Sequence, residues 1–381
     1  MNFIITMAII IGGTTLGGHL FARIGLPVVI GQMLIGIVLG PSVLGWVGMT
    51  HSLEDISSIG VVILMFAAGL ETDLEQLKKH LLPSAVVATL GVILPLGFVY
   101  AFGRSIGTSN IESIFIGIVF AATSVSISVA VLREAGALRT RAGNIILGAA
   151  VLDDIIAVLL LGVFTQQEGG DGSNLFVRIV LQGGFFVLVW VIGRYLATPL
   201  LHLSRRLLVP LAVPLTALVL CLALAGLAQV VGLSDALGAF FAGIVVARTK
   251  VRDEVDSAIN TVGNAVFVPV FFASIGLQLN LGAGMNWWLT AALTVIAVLT
   301  KLLGAGAGTL LTGGDLKESF VVGAGMVSRG EMALIIAQIG YSAHLLSSAY
   351  YGMIITAIVA ATLIAPLLLR LALRERKTAT E

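Results

Sequence analysis

The feature that most constrains this chain is a succession of long apolar segments with few charges between them. A transmembrane helix needs about 20 mostly apolar residues to cross ~30 Å of hydrocarbon. In lipid, helices satisfy their own backbone hydrogen bonds, so such segments predict an all-α membrane protein. Thirteen segments of suitable character lie at approximately 3–22, 27–46, 54–71, 80–103, 111–133, 142–165, 174–199, 210–230, 234–249, 258–278, 286–311, 318–340 and 346–369.

The composition excludes several other classes of protein. Of the 381 residues, 58% are hydrophobic and only 11% are charged, whereas a soluble domain carries about 25% charged residues. The formal net charge of +1 gives no sign of a nucleic-acid partner. A single cysteine, Cys221, excludes an internal disulfide, and the glycine-rich strings lack the Lys-Ser/Thr of a nucleotide-binding loop. We therefore expect no cofactor, no nucleotide and no nucleic acid.

The basic residues predict an orientation in the cell membrane. With the N-terminus outside, 17 of the 21 Lys and Arg residues fall on the cytoplasmic side, and only Arg104 and Arg178 fall opposite. The remaining two, Lys301 and Arg329, lie within apolar segments. Because Lys and Arg are retained on the cytoplasmic side, we predict an external N-terminus and a cytoplasmic C-terminus. A short tail after the last segment leads us to expect no cytoplasmic regulatory domain.

Two pairs of short strings recur at one offset along the chain. Residues 31–38 (GQMLIGIV) resemble residues 238–245 (GAFFAGIV), and residues 69–74 (GLETDL) resemble residues 276–281 (GLQLNL). Both pairs are 207 residues apart. Each copy lies seven segments after its counterpart, an odd number, so the two copies enter the membrane from opposite sides. Similarity of composition alone is the alternative explanation.

The offset predicts two inverted-topology repeats. They would cover approximately 3–165 and 210–369, with 174–199 as a linker helix. Inverted repeats are common in secondary transporters, whose sites lie near the membrane midplane where broken helices meet.

Two adjacent carboxylates, Asp153 and Asp154, lie near the middle of the segment at 142–165. At the centre of a helix each costs ~2.5–3.5 kcal/mol on insertion scales. Intramembrane ionisable residues usually face a cavity or a counter-charge and mark an ion or proton path. Lys301, in the middle of another segment, is the predicted counter-charge for one of them. This pattern favours an ion path over two carboxylates kept only for packing.

Polar residues also lie at mid-depth in two further segments. Thr123 and Ser124 belong to AATSVSISVAVL, whose hydroxyls and exposed carbonyls are hard oxygen ligands suited to a small alkali cation. The string SRGEMAL places Arg329 and Glu331 on either side of a glycine that indicates an interruption of the helix. We predict that these two form a structural or gating ion pair. Glu71 is a second candidate partner for Arg329, and the sequence does not choose between them.

These residues together resemble the cation:proton antiporter-2 family, and specifically its NapA-type sodium/proton antiporters. The resemblance covers essentially the whole chain. The family's potassium-efflux members differ, because they have Gln-Asp in place of the Asp-Asp pair and a nucleotide-binding C-terminal domain. The matching strings are PVVIGQMLIGIVLGPSVLG at 27–45, MFAAGLETDL at 65–74, AATSVSISVAVL at 121–132, ILGAAVLDDI at 146–155, Lys301 and SRGEMAL at 328–334.

The resemblance implies an NhaA/NapA-like antiporter fold of thirteen transmembrane helices in two inverted repeats, with two crossed, unwound helices, assembled as a homodimer. Core helices at approximately 80–165 and 286–369 would move like an elevator against a dimerisation domain.

The resemblance also implies roles for individual residues. Asp154 matches the aspartate that binds sodium or protons, and Asp153 matches the one paired with the lysine at Lys301. Thr123 and Ser124 match the unwound stretch beside the site.

The predicted function is secondary active, electrogenic exchange of Na⁺ or Li⁺ for protons. A K⁺/H⁺ antiporter of the same family is the nearest alternative. An intramembrane aspartyl protease needs two aspartates that face each other from separate helices, whereas these two are neighbours in one helix. A sensor that transports nothing is a further alternative, disfavoured because no signalling domain follows the last segment.

Overall fold

The first half of the chain forms eight α-helices. The structure is a computed structural model that describes residues 2–72, 74–167, 175–279, 286–342 and 345–377. Its first eight helices are α1 (Phe3–Arg23), α2 (Val28–Leu39), α3 (His51–Glu71), α4 (Leu74–Lys79), α5 (Leu81–Ser105), α6 (Asn110–Ala121), α7 (Val125–Glu134) and α8 (Arg141–Gln167).

Ten more α-helices follow. Two short π-helical turns, Ile192–Leu196 and Gly263–Phe267, join α9 to α10 and α13 to α14. The helices are α9 (Leu175–Val191), α10 (Ala197–Ser204), α11 (Ala212–Val230), α12 (Asp235–Ala247), α13 (Arg252–Val262), α14 (Val268–Leu277), α15 (Trp287–Leu311), α16 (Leu316–Met326), α17 (Glu331–Ser342) and α18 (Ser348–Lys377).

The described part of the chain is all-helical, as predicted, and contains no β-strand. Nine helical stretches within it are long and apolar enough to cross a membrane. The other predicted segments coincide with α2, α8, α12 and the pair α16–α17. Of these, α2 and α12 have only 12 and 13 residues, and α16–α17 is interrupted. The count of thirteen spans stays a prediction.

Two helices are broken near their middles, at the predicted positions. Residues 122–124 separate α6 from α7, and residues 327–330 separate α16 from α17. The two breaks touch, because the Ser124 N–H donates to the Ser328 carbonyl at 2.9 Å and the Ser328 hydroxyl donates to the Ser124 carbonyl at 2.5 Å. Gly330 permits this approach, since a Cβ there would lie 2.5 Å from the Ser124 hydroxyl oxygen. Each break thus satisfies backbone groups of the other away from water.

Helix α8, which carries both aspartates, packs against the two broken helices. It contacts α5, α6, α7 and α16, while α5 packs along α15. Helix α12 packs instead against α3 and α11. The aspartates therefore lie where the two breaks, α15 and the start of α12 come together.

Candidate functional site

Asp153 and Asp154 point in different directions from α8. Adjacent residues of an α-helix are rotated by about 100° relative to each other, so they meet different neighbours. Asp153 is 1% exposed and Asp154 is 9% exposed. Both are buried in the protein, and each needs a partner.

Asp153 forms a buried ion pair with Lys301. The Lys301 Nζ lies 2.6 Å from Asp153 Oδ2, and Lys301 is fully buried. Thr123 donates its hydroxyl to the same oxygen at 2.6 Å. The lysine also donates to the carbonyl of Ala121 at 2.9 Å, at the end of α6. Asp153 Oδ1 has no hydrogen-bond partner among the described residues. The predicted contact between Lys301 and an aspartate is therefore present, and Asp153 is that aspartate.

Asp154 faces the start of α12. Its Oδ2 accepts a short hydrogen bond from the hydroxyl of Ser234, the N-cap residue of α12. A small cavity lies beside this carboxylate, and the rest of its lining is apolar side chains of α3, α7, α8 and α12. A carboxylate beside an apolar cavity is the one polar feature that could attract a cation there.

Arg329 is also fully buried, but it is held by carbonyl groups. Its guanidinium donates to the carbonyls of Ala122 at 2.7 Å and Ala297 at 3.2 Å, and more weakly to that of Ala121 at 3.5 Å. The last carbonyls of a helix have no partner within it. Arg329 thus satisfies the end of α6 at its break.

Of the two predicted partners of Arg329, one pairs with another residue and the other has a side chain that the structure does not describe. Glu71 is not its partner, because Glu71 Oε1 lies 2.6 Å from Nε of Arg133. The reason is position: Glu71 ends α3 beside the last turn of α7, whereas Arg329 lies in the interior at the break. Glu331 begins α17, but its side chain lies outside the described part of the structure, so that ion pair stays a prediction.

Ser124 lies in the break between α6 and α7, as predicted, and its hydroxyl is 3.1 Å from that of Ser126. Ser234 is the site residue that sequence reasoning missed. Its only signal is the pattern of a serine before an apolar helix, which is typical of an N-cap and says nothing about Asp154. Among the described residues, no group of three His, Cys, Asp or Glu side chains could hold a resident metal ion.

Comparison with known proteins gives the family. The model of the sodium/hydrogen exchanger transmembrane family matches residues 6–375. The chain belongs to this family. It is therefore a multi-pass membrane transporter and not an enzyme. The predicted relation to sodium/proton exchangers is confirmed, whereas the cation:proton antiporter-2 and NapA-type assignments stay predictions.

Individual relatives cover nearly the whole chain. It is 42% identical over 374 residues to a Na⁺/H⁺ antiporter of Enterococcus hirae. This alignment covers 97% of this chain and 98% of that protein. It is 42% identical over 370 residues to the Na⁺/H⁺-K⁺ antiporter GerN of Bacillus cereus, with 97% and 96% covered. The solved structure of the sodium proton antiporter MjNhaP1 of Methanocaldococcus jannaschii matches with a TM-score of 0.66 at 16% identity, over 97% of this chain and 95% of that one. This exchanger therefore shares the fold of that antiporter.

Proposed function

We propose that this exchanger is a secondary active antiporter that moves Na⁺ or Li⁺ against protons at a site centred on Asp154. The family and the names of the two 42% identical relatives support this proposal. The observation that carries it is the buried pair of Asp153 with Lys301, one residue from a second carboxylate that borders a cavity. In such an arrangement Asp154 can bind a cation, and Lys301 can hold and release a proton.

The two carboxylates have separate tasks in this mechanism. A cation and a proton compete for Asp154, so neither binds freely while the other is present. Thr123 and Ser124 offer hydroxyl and carbonyl oxygens at the break, beside the aspartates. A cation that draws Asp153 away from Lys301 leaves a desolvated ammonium without its counter-charge. Such a group is costly and gives up its proton.

Exchange of this kind is voltage-sensitive. If one Na⁺ moves against two protons, each cycle carries one net charge across the membrane. That charge is worth ~2.3 kcal/mol per 100 mV of membrane potential. We therefore propose that transport is electrogenic and that the ion gradients alone drive it.

We also propose that the two halves are inverted-topology repeats. The spacing of the helices supports this, because α2 begins at residue 28 and α12 at residue 235, an offset of 207. Likewise the first residues of α5, α6 and α7 each precede those of α15, α16 and α17, respectively, by 206 residues. Similar composition alone does not require matching helix starts.

Close contacts between helices repeat at the same offset. A Cβ on Gly36 would collide with the carbonyl oxygen of Ala273, and a Cβ on Gly243 would collide with that of Phe66. Both partners of the first contact are related to those of the second by 207 residues. The same relation holds between the contact of Gly69 with the Phe240 carbonyl and that of Gly276 with the Met33 carbonyl. A two-fold relation between the halves accounts for both pairs.

The remaining architecture follows from this proposal. We propose thirteen spans with the N-terminus outside, halves at approximately 3–165 and 210–369, and a linker helix at 174–199. Core helices at 80–165 and 286–369 would move like an elevator within a homodimer. The support is the NapA-type pattern of the Asp-Asp pair with a membrane lysine, together with helices at each predicted segment.

Potassium is the second candidate substrate. GerN, 42% identical to this chain, is named as a Na⁺/H⁺-K⁺ antiporter. Selectivity among alkali ions depends on the geometry of the cavity and its oxygen ligands rather than on residue types alone. K⁺/H⁺ exchange at the same carboxylates is therefore the alternative to Na⁺/H⁺ exchange.

The test is proton movement in proteoliposomes that contain a pH-sensitive dye. Addition of Na⁺ or Li⁺ to wild-type vesicles is expected to move protons, and Asp154→Asn is expected to lower the rate at least about tenfold, since the neutral amide binds neither ion. Asp55→Asn makes the same chemical change at an exposed position of α3 and serves as the control. Wild-type proton flux in Asp154→Asn vesicles would refute the proposal. The same vesicles with K⁺ and Rb⁺ decide the substrate.

A further inference from the structure

Helix α12 begins at the carboxylate of Asp154. The Ser234 hydroxyl oxygen accepts the N–H of Leu237 at 3.1 Å, which makes it the N-cap of α12. The same hydroxyl donates a hydrogen bond to Asp154 Oδ2. Ser234 is 7% exposed, so water does not readily replace it. One buried hydroxyl therefore joins the start of α12 to the middle of α8.

This hydrogen bond connects two helices that pack mainly against different neighbours. Helix α8 packs against α5, α6, α7 and α16, whereas α12 packs against α3 and α11. The contact of α12 with α3 is tight, because a Cβ on Gly243 would collide with the carbonyl oxygen of Phe66. The bond between Ser234 and Asp154 consequently adds a direct link between α8 and α12, beside the contacts that α7 makes with both α3 and α8.

The strength of the bond depends on what Asp154 carries. A hydroxyl that donates to a free carboxylate forms a charge-assisted bond, roughly twice as strong as a neutral one. A cation on Oδ2 would lie against the partially positive hydroxyl hydrogen, and the repulsion between them weakens the hydrogen bond. The bond is therefore strong when the site is empty and weak when it holds a cation.

Neighbouring ionisable groups are bound elsewhere. Asp153, on α8, is paired with Lys301 of α15. Asp235, the first residue of α12, accepts hydrogen bonds from the side chain of Gln229 and the N–H of Ala236. Arg329, between α16 and α17, donates to backbone carbonyls. The hydroxyl of Ser234 is a group of α12 in direct contact with Asp154, and it therefore responds to occupancy of that carboxylate.

We propose that Ser234 latches α8 to α12 while Asp154 carries neither a metal cation nor a proton, and so prevents the unloaded protein from reorienting. This inference rests on the proposed exchange function. An antiporter needs such a restraint, because reorientation of an empty site would let Na⁺ run down its gradient with nothing returned. Ser234 is a positioning residue, since it acts through Asp154.

The experiment compares two effluxes of radioactive Na⁺ from proteoliposomes at one alkaline pH, where protons are scarce. Efflux into Na⁺-free buffer requires the empty site to return, whereas efflux into Na⁺ buffer does not. The wild-type ratio of the first rate to the second is expected to be far below one. Ser234→Gly is expected to raise this ratio about tenfold, equivalent to ~1.4 kcal/mol. Ser234→Thr keeps a hydroxyl and should restore the low ratio.

Glycine is chosen because it caps a helix almost as well as serine. Ser109→Gly is the matched control, since Ser109 caps α6 with the same 3.1 Å bond, to the N–H of Glu112, and is exposed. Its ratio is expected to equal that of wild type. Loss of helix stability alone would change both serine variants and would slow both effluxes together.

Three results would overturn the latch. One is an unchanged ratio in Ser234→Gly vesicles that still exchange Na⁺, and another is an equal rise in Ser109→Gly. A wild-type ratio near one would do so without any variant, even if Ser234→Gly fails to fold. Absence of any Na⁺ flux in wild-type vesicles would instead refute the proposed function, and the latch with it.

Discussion

Lys301 and Arg329 are two fully buried cations near one site, and they differ in what holds them. Lys301 meets a carboxylate, Asp153, at 2.6 Å. Arg329 meets the carbonyls of Ala122 and Ala297 at 2.7 and 3.2 Å. A transported cation can compete with Lys301 for a carboxylate, but it cannot take the carbonyls from Arg329 without exposing the end of a helix. Equal burial therefore accompanies different contacts: Lys301 holds a carboxylate, which is why we propose a role for it in exchange, whereas Arg329 holds carbonyls at the break.

The largest expected effect is that of Arg329→Met on stability. Methionine fills part of the volume but removes two charge-assisted hydrogen bonds, worth ~1.5–3 kcal/mol each, and leaves the buried Ala122 carbonyl without a donor. We expect a loss of about 4–5 kcal/mol in the free energy of unfolding, which is exceptional for one substitution. The measurement is the thermal unfolding midpoint of the purified protein in detergent. Arg205→Met makes the same chemical change at a half-exposed side chain and serves as the control. The Nη2 atom of Arg205 lies 3.7 Å from Oε2 of Glu254, which is also half-exposed. Equal midpoints for the two variants would contradict the comparison.

The next effect is the coupling between Lys301 and Asp153. Lys301→Met leaves a buried carboxylate without its counter-charge, and we expect it to cost about 3 kcal/mol of stability. The double variant with Asp153→Asn removes both charges, so it should recover most of that loss. Unfolding midpoints of the two single variants and the double variant form the double-mutant cycle. Additive losses would mean that the two residues do not act as a pair.

The smallest expected effect tests whether burial, rather than the distance between the charged atoms, determines how much stability is lost when one partner of an ion pair is replaced. Arg133 and Glu71 are also 2.6 Å apart, but their side chains are 18% and 23% exposed. Partly solvated pairs contribute about 0–1 kcal/mol and are screened by salt. Arg133→Gln is therefore expected to lower the unfolding midpoint slightly, and less at high salt than at low salt. A loss as large as that of Lys301→Met, independent of salt, would make distance the deciding factor.

The sequence predicts the centre of the site well because few partners are available there. Lys301 is one of only two Lys or Arg residues near the middle of an apolar segment, so its pairing with an aspartate follows from the cost of burying either charge alone. The breaks at Ser124 and Arg329 follow from polar residues and a glycine at mid-depth.

The other contacts depend on how distant helices pack. Nothing near Ser234 in the sequence indicates that the N-cap of α12 reaches a carboxylate 80 residues away. Arg329 has carbonyl partners, which every residue carries and no pattern distinguishes. Glu71 meets Arg133 because α3 and α7 end side by side. The roles of all these residues in transport stay predictions.

The glycine contacts limit which parts of the protein can slide. Between α2 and α14, and between α3 and α12, carbonyl oxygens of one helix occupy the places that β-carbons would take on the other. Shear between helices normally proceeds by small adjustments of interdigitating side chains. Backbones in direct contact have no side chains to adjust, so these four helices form a stiff frame. The proposed displacement would then occur at surfaces lined by side chains, such as the one between α8 and α12.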